Sequence, residues 1–406
     1  MRFPRRSTLR SLWWAASAAN GRWPARLNRY LSIPSFFWGW ITTEAAGPLF
    51  FVNLWGGFRA WRRGETKDLE GKAAMAARVV AGAALVGFAV EGRRTDDEFE
   101  AALAPFLSTD DLAARPRSSR AGAFVPFLFG GYGRRKRVRN ITFSPEGHHR
   151  LRLDVYQPLE PGTKRPAIVQ IHGGGWVIGD KSQQGLPLLN HLARHGWVGF
   201  NVDYQKSPRA KAPAHLIDCK LAIAWVRAHA HEYGADPDFI VVTGGSAGGH
   251  LCALVALTAN DPAFQPGFED ADTSVQAAVP MYGVYDLADV DGHMVTGFRD
   301  LFIEPVVMGA RFRDGADAFE SYSPYYRVRP EAPPMMIVHG SKDSLVPIES
   351  ARPFAARMAE TSESAVVYVE LQGAQHGFDV FPSPRTVRTV EYIERFLDGV
   401  RRGVIK

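Results

Sequence analysis

From residue 138 onward, short β-rich runs alternate with helical stretches. This pattern predicts an α/β fold, a mostly parallel sheet of about eight strands covered by helices. Two further observations agree. Of the 406 residues 46% are hydrophobic and 22% charged, enough apolar material for a large core. Cys219 and Cys252 are the only cysteines and no CxxC occurs, so neither a disulfide framework nor a four-cysteine zinc site holds the fold. The same composition excludes a disordered or collagen-like chain.

Residues 1–133 read as a basic, apolar helical region with a linker, ahead of an α/β domain at residues 134–406. Arg2, Arg5, Arg6, Arg10, Arg22, Arg26, Arg29, Arg59, Arg62 and Arg63 are opposed only by Glu44 and Glu65. The apolar stretch 31–58 carries Phe36, Phe37, Trp38, Trp40, Phe50, Phe51 and Trp55. It has the ~20 residues a bilayer span needs, but Pro34, Glu44 and Pro48 interrupt it; a second run, 79–90, is too short alone. Aromatic rings flanked by arginines suit a membrane–water interface. Membrane association through residues 1–90 is therefore expected, with helical packing against the following domain as the plain alternative. Arg5-Arg6-Ser7-Thr8-Leu9-Arg10 before residues 11–19 loosely resembles a twin-arginine export signal, with Ala16-Ser17-Ala18 as its cleavage site. The expected location is the cell membrane or envelope, with cytoplasmic residence or export as alternatives.

Thr95 to Glu98 fits a capping box opening a helix through Phe99, Ala102, Leu103 and Phe106. Residues 108–133, broken by Pro116, Pro126 and Gly130-Gly131, read as a linker. The run Arg134-Arg135-Lys136-Arg137 has no recognition module or stacking motif beside it. No nucleic-acid partner is expected, despite a net charge of +6.

The β runs at 140–143, 151–156 and 167–171 come close together, as hairpin-like strands do. Those at 198–202, 239–243, 277–281, 335–338 and 366–371 are mostly separated by helical patterns. Ile217, Leu221, Trp225 and Ala228 mark one such face, and Val387, Val390, Ile393 and Leu397 another. Ligands of such sheets sit beyond the carboxyl ends of strands, so the residues after each run matter most.

After 239–243 comes Gly244-Gly245-Ser246-Ala247-Gly248-Gly249, then an apolar helix through Leu251, Leu254 and Leu257. G-x-S-x-G between strand and helix is a nucleophile elbow: the tight turn exposes the hydroxyl, and side chains at the glycines would collide with backbone. After 167–171 comes His172-Gly173-Gly174-Gly175-Trp176. Consecutive glycines let backbone N–H groups aim at one spot. Gly174 and Gly175, with Gly173 as a further donor, and Ala247 are the candidate oxyanion hole. His172 is expected to order that loop. No phosphate-cradling or dinucleotide fingerprint accompanies the glycines. A serine nucleophile needs a base, and the base an orienting acid. Asp343 follows the run 335–338 and His376 follows 366–371, in the chain order Ser, Asp, His that such elbows use. Ser246, Asp343 and His376 are the candidate catalytic residues, with Asp286 the reserve acid.

His250, one turn after Ser246, reads as a core histidine. His191 and His195 are spaced i, i+4, but Leu192 breaks the zincin pattern H-E-x-x-H. His339 is assigned to the acid loop; His148, His149, His229 and His231 read as surface. No metal and no cofactor is expected.

These motifs resemble the hormone-sensitive-lipase branch of the α/β-hydrolases over about residues 138–400. Asp203-Tyr204-Gln205-Lys206-Ser207-Pro208 is similar to that branch's D-Y-R-x-x-P segment, with Gln205 replacing arginine. Gly245 stands where the branch usually has Asp. Thr258-Ala259-Asn260-Asp261-Pro262, Asp272-Thr273-Ser274-Val275 and residues 373–379 look closer still to actinobacterial (mycobacterial Lip-type) carboxylesterases, which also carry an apolar N-terminal extension. The resemblance implies an α/β-hydrolase fold with a helical, apolar N-terminal extension, and hydrolysis of carboxylic esters with short or medium acyl chains near the cell envelope. The partner would be a small-molecule ester or lipid. Residues 284–330, with Phe298, Leu301, Phe302, Val306, Val307 and Met308, form the expected cap insertion. The rival readings are a serine peptidase of the prolyl-oligopeptidase type, and a non-catalytic hydrolase-fold receptor, which the retained Ser, Asp and His disfavour.

Overall fold

The computed structural model describes residues 5–26, 29–113, 136–144 and 149–406. Most of the linker (114–133), Arg134-Arg135 and His148 lie outside the described residues. The chain opens with α1 (Arg6–Arg22), α2 (Arg29–Glu44), α3 (Ala46–Arg62), α4 (Leu69–Glu91), α5 (Thr95–Leu103) and α6 (Thr109–Ala113). The apolar stretch 31–58 is thus two helices divided at Ala45. The second apolar run is only the latter half of α4, because the alanine-rich residues before it continue the helix. Together with α5 it makes Leu69–Leu103 long and apolar enough, by length and composition, to cross a membrane.

Trp14, Ala18, Ala46, Ala81, Leu85 and Phe88 form a small core joining α1, α3 and α4. Arg78 sits buried among them. Its Nε donates to Ser11 Oγ at 3.0 Å and its guanidinium to Asn53 O at 3.1 Å, while Asn53 Nδ2 donates to Arg78 O at 2.9 Å. The capping box does not form. Between α4 and α5, Gly92 and Arg94 keep right-handed helical backbone, and Thr95 Oγ1 donates back to Gly92 O at 3.0 Å. Glu98 Oε1 instead accepts the Gln372 N–H at 2.9 Å and ties α5 to the loop after the last strand.

All eight β runs are strands: β1 (Lys136–Thr142), β2 (Arg152–Gln157), β3 (Arg165–Ile171), β4 (Val198–Val202), β5 (Ala235–Gly245), β6 (Ala277–Met281), β7 (Met335–Gly340) and β8 (Val366–Leu371). They form one sheet in the order β1-β2-β4-β3-β5-β6-β7-β8. β2 runs antiparallel to β1 and β4, and every pairing from β4 onward is parallel. β4, β6 and β7 are buried at every position, as a sheet covered on both faces requires. The covering helices are α7 (Leu186–Arg194), α8 (Ala214–His229), α9 (Ala247–Leu257), α10 (Ala316–Ser321), α11 (Ala351–Thr361) and α12 (Pro384–Arg401).

The N-terminal helices join this body through a buried ion pair. Arg385, at the start of α12, donates from Nε to Glu44 Oε1 at 3.1 Å; Ser383 Oγ donates to Glu44 Oε2 at 2.7 Å. Both charged side chains are buried. Glu44→Ala leaves the guanidinium buried without its carboxylate, a loss that costs about 3–5 kcal/mol in such pairs. Its thermal midpoint should fall by several degrees, and the Glu44→Ala, Arg385→Ala double variant should lose less than the sum of the singles. An unchanged midpoint in Glu44→Ala contradicts the pairing.

Candidate active site

β5 ends in the turn Gly244–Ser246 and α9 begins at once. Ser246 holds φ 59° and ψ −124°, a backbone that side-chain-bearing residues rarely adopt. Its N–H is fixed by Met281 O at 3.0 Å, and its carbonyl accepts from His250 N–H at 3.0 Å. The glycines are sterically required. A Cβ on Gly248 would lie 2.2 Å from Ile171 O, and one on Gly244 2.4 Å from Gly248 O.

The loop after β3 lies against this elbow, since a Cβ on Gly173 would approach Ser246 Cβ at 3.1 Å. The Gly173 N–H donates to Gln184 Oε1 at 2.7 Å. That removes Gly173 from the expected oxyanion donors, because its one proton is committed. Among the described residues, the N–H groups of Gly174, Gly175 and Ala247 have no protein acceptor. Gly174 and Gly175 have φ of 120° and 59°, the freedom glycine supplies. His172 orders the loop as expected: Nδ1 lies 2.7 Å from Gly173 O and Nε2 3.3 Å from Asp203 Oδ1, and Tyr204 stacks on its ring.

The acid and histidine loops meet after β7 and β8. Asp343 Oδ2 accepts from His376 Nδ1 at 2.6 Å, and Oδ1 accepts the N–H groups of Leu345 and Val346 at 2.9 and 2.8 Å. Burial pushes the Asp343 carboxyl up, but the charges and hydrogen bonds of His376 and His339 outweigh it and hold the group well below the usual carboxylate range. Gln375 Oε1 staples the two loops, accepting Ser344 N–H at 2.7 Å and His376 N–H at 2.9 Å. No hydrogen bond joins Ser246 Oγ to His376 among the described residues. The Tyr282 ring links the two loops: its centroid is 4.7 Å from the His376 ring, and its Oη would lie 2.3 Å from a Cβ on Gly245, the residue before Ser246. Tyr282 therefore fills the space of the branch's usual aspartate, and its hydroxyl donates to buried Asp379.

The remaining candidates separate cleanly. Asp286 accepts its own turn's Ala288 N–H at 2.8 Å, and among the described residues it makes no hydrogen bond to the Asp343 or His376 loop. His250 is fully buried against Trp176, donates from Nε2 to Tyr322 O at 2.8 Å, and is pushed down by burial to about 3. His339 Nε2 donates to Val346 O at 2.8 Å within the acid loop. The zincin spacing test missed Glu394 of α12, which comes between His191 and His195. Its Oε2 accepts from both, at 2.8 and 2.9 Å, so hydrogen bonding already uses the ligand-type atoms of this group.

In the cap, residues Arg299–Met308 form a wide π-helical segment containing Pro305. Lys211 Nζ takes the carbonyls of Pro305 and Val306 at 2.7 and 2.8 Å. Phe302, stacked on Phe298, lies over Gly175. Val307 points into the main core rather than a pocket, and Leu301 is exposed.

Gln205, in place of the branch's arginine, donates to Asp218 from its N–H at 2.8 Å and its Nε2 at 3.3 Å. Burial pushes Asp218 up to about 6, with the two Gln205 hydrogen bonds opposing. The folded chain holds this proton more tightly than the unfolded chain, so stability is lost as pH rises through the folded value. Relative to wild type, Asp218→Asn should gain about 2–3 kcal/mol of stability between roughly pH 4 and pH 8. A difference that does not change with pH contradicts this.

Comparison with known proteins agrees with this fold. The BD-FAE family matches residues 153–358. The chain is 40% identical over 355 residues to Esterase LipQ of Mycobacterium tuberculosis, covering 81% of this chain and 84% of that protein. It is 38% identical over 401 residues to the probable carboxylic ester hydrolase LipM of the same organism, covering 95% of this chain and 91% of LipM. Among solved structures it is similar to a thermophilic esterase of Thermogutta terrifontis, at 30% identity and TM-score 0.55, covering 66% of this chain and 92% of that one. With its eight-stranded sheet and kinship to the mycobacterial Lip esterases, the chain belongs to the BD-FAE family of hormone-sensitive-lipase-like α/β-hydrolases and is a carboxylic ester hydrolase.

Proposed function

We propose that the chain cleaves short- to medium-chain carboxylic esters through an acyl-enzyme on Ser246, at a membrane surface. The observation that carries this is the buried 2.6 Å contact of Asp343 with His376, together with a serine held in elbow backbone at the end of β5. Asp343 keeps the proton on Nδ1, which leaves Nε2 to take the proton of Ser246 Oγ as it attacks the ester carbonyl. Rotation of the serine side chain on substrate binding completes that contact; catalytic hydrogen bonds often tighten only in the substrate complex. The N–H groups of Gly174, Gly175 and Ala247 stabilise the tetrahedral oxyanion, His376 protonates the leaving alcohol, and water activated by His376 releases the acid. Short acyl chains suit the site because Phe302 lies over Gly175. The Thermogutta esterase has been solved with butyrate and with propionate bound.

Ser246→Ala should abolish the burst with p-nitrophenyl butyrate. Asp343→Asn should lower kcat by about 10⁴, the cost of the wrong imidazole tautomer; Asp286→Asn should stay within about twofold of wild type. Across the acyl series, kcat/KM should rise by about 0.8 kcal/mol per buried methylene until the pocket is full. Turnover of peptides in place of esters, or equal losses in both aspartate variants, contradicts the reading.

The membrane part rests on the outer faces of α1 to α4. Among the described residues, Leu12, Trp13, Ile33, Phe37, Ile41, Trp55, Phe58, Trp61, Val79 and Val80 are exposed, whereas residues 136–406 expose few large apolar side chains. Arg78 depends on acceptors from α1 and α3, so α4 cannot leave the bundle to span alone without stranding a cation. The bundle therefore lies on the surface, with its arginines near anionic headgroups. The full chain should float with vesicles of phosphatidylglycerol and phosphatidylethanolamine, and a Trp55→Ser, Phe58→Ser, Trp61→Ser variant should float less. Recovery of the full chain in the soluble fraction contradicts it.

A further inference from the structure

We infer that the inner face of α2 is part of the machinery that positions the catalytic histidine, with Trp40 as the positioning residue. The inference rests on the ester-hydrolase reading and adds an N-terminal helix to a site otherwise drawn from residues beyond 170. Ser32, Phe36, Trp40 and Glu44 recur every four residues and so share one face of α2. Each of them meets the acid or histidine loop. Ser32 O lies 3.5 Å from the hydroxyl of Ser344, the residue after Asp343. The Phe36 ring meets His376 edge-on, with centroids 5.6 Å apart and planes at 85°. Trp40 Nε1 donates to the carbonyl of Gly377, the residue after His376, at 2.8 Å, and its ring lies 4.7 Å from Phe381. Glu44 closes the far end through Ser383 and Arg385.

The physical consequence is specific. The histidine loop leaves β8 at Leu371 and rejoins regular structure at α12; between them Gly377 has φ 66°, a conformation without stiffness of its own. Asp343 and Tyr282 hold the His376 ring from within, and α2 holds it from outside, which leaves the residue only 5% exposed. Without Trp40 the Gly377 carbonyl keeps only the longer bond from the Val380 N–H, at 3.2 Å, and the loop loses its tie to α2 and can shift. A displacement of about 1 Å is enough to cost up to 10²-fold in rate.

The test compares two like substitutions in the full-length chain. Trp40→Phe keeps a ring against Phe36 and Phe381 but removes the N–H. Trp38→Phe removes an equivalent N–H from the same helix, one that donates to Ser17 Oγ at 2.7 Å on the side facing α1. With p-nitrophenyl butyrate, Trp40→Phe should lower kcat about tenfold and leave KM within about twofold, whereas Trp38→Phe should match wild type. The downfield proton resonance of His376 Nδ1–H should broaden in Trp40→Phe and persist in Trp38→Phe. Phe36→Leu, which removes the edge contact instead, should repeat the kcat loss and guards against a folding defect peculiar to Trp40→Phe. A wild-type kcat in both Trp40→Phe and Phe36→Leu, or parallel losses in Trp40→Phe and Trp38→Phe, overturns the inference while ester hydrolysis stands. A wild-type chain that neither hydrolyses the ester nor shows a Ser246-dependent burst overturns both.

Discussion

Where β3 ends against the first turn of α9, backbone passes backbone with no space for a methyl group. Gly248 faces the Ile171 carbonyl at that crossing, and Gly244 faces Gly248 itself. The parallel register sets Ile171 opposite Gly244, so the glycine loop 172–176 and Ser246 leave adjacent strand ends on the same side of the sheet. The rest of the site is arranged around that contact. β6 supplies the carbonyl that fixes Ser246, then Tyr282 beneath His376; β7 and β8 supply the loops that carry Asp343 and His376. A larger residue at Gly248 would push α9 off the sheet and move every one of these groups.

The N-terminal helices reverse the usual distribution of surface and interior. Arg78 and Glu44 lie inside, each with its partners, while tryptophans and aliphatic side chains face outward. In water such a surface is a liability; against lipid it is stable, and the interior charges give the bundle one defined arrangement. The Glu44–Arg385 pair and the α2 stripe then fix that bundle to the end of the sheet that carries the Asp343 and His376 loops. Substrate leaving a lipid surface would meet the site without a long aqueous path.

Much of this was legible from residue order alone. The strands announced themselves because a sheet covered on both faces demands unbroken apolar runs, and the elbow and glycine loop because their geometry tolerates few alternatives. What stayed hidden depended on contacts between distant segments. Gln184, eleven residues beyond Gly173, accepts the hydrogen bond of an N–H that spacing left available for the oxyanion. Tyr282 fills the volume vacated by the absent aspartate at position 245, and only the residue's place just after a strand hinted at it. Thr95 and Glu98 have the capping-box spacing, yet helical backbone at Arg94 lets its carbonyl take the Glu98 N–H at 3.3 Å, so the donor such a box would satisfy is already used. The stripe 32, 36, 40, 44 has helical spacing too, but nothing in its composition distinguishes a face that meets His376 from one that meets lipid.

The central claim is that Ser246 is the one residue made nucleophilic by this arrangement. The direct measurement is peptide mapping by mass spectrometry after brief exposure of the full chain to a fluorophosphonate, with an Asp343→Asn sample in parallel. The account predicts a single stoichiometric adduct on the peptide containing Ser246, formed far more slowly in Asp343→Asn. Labelling of a different residue, or equal labelling rates in the two proteins, would contradict it.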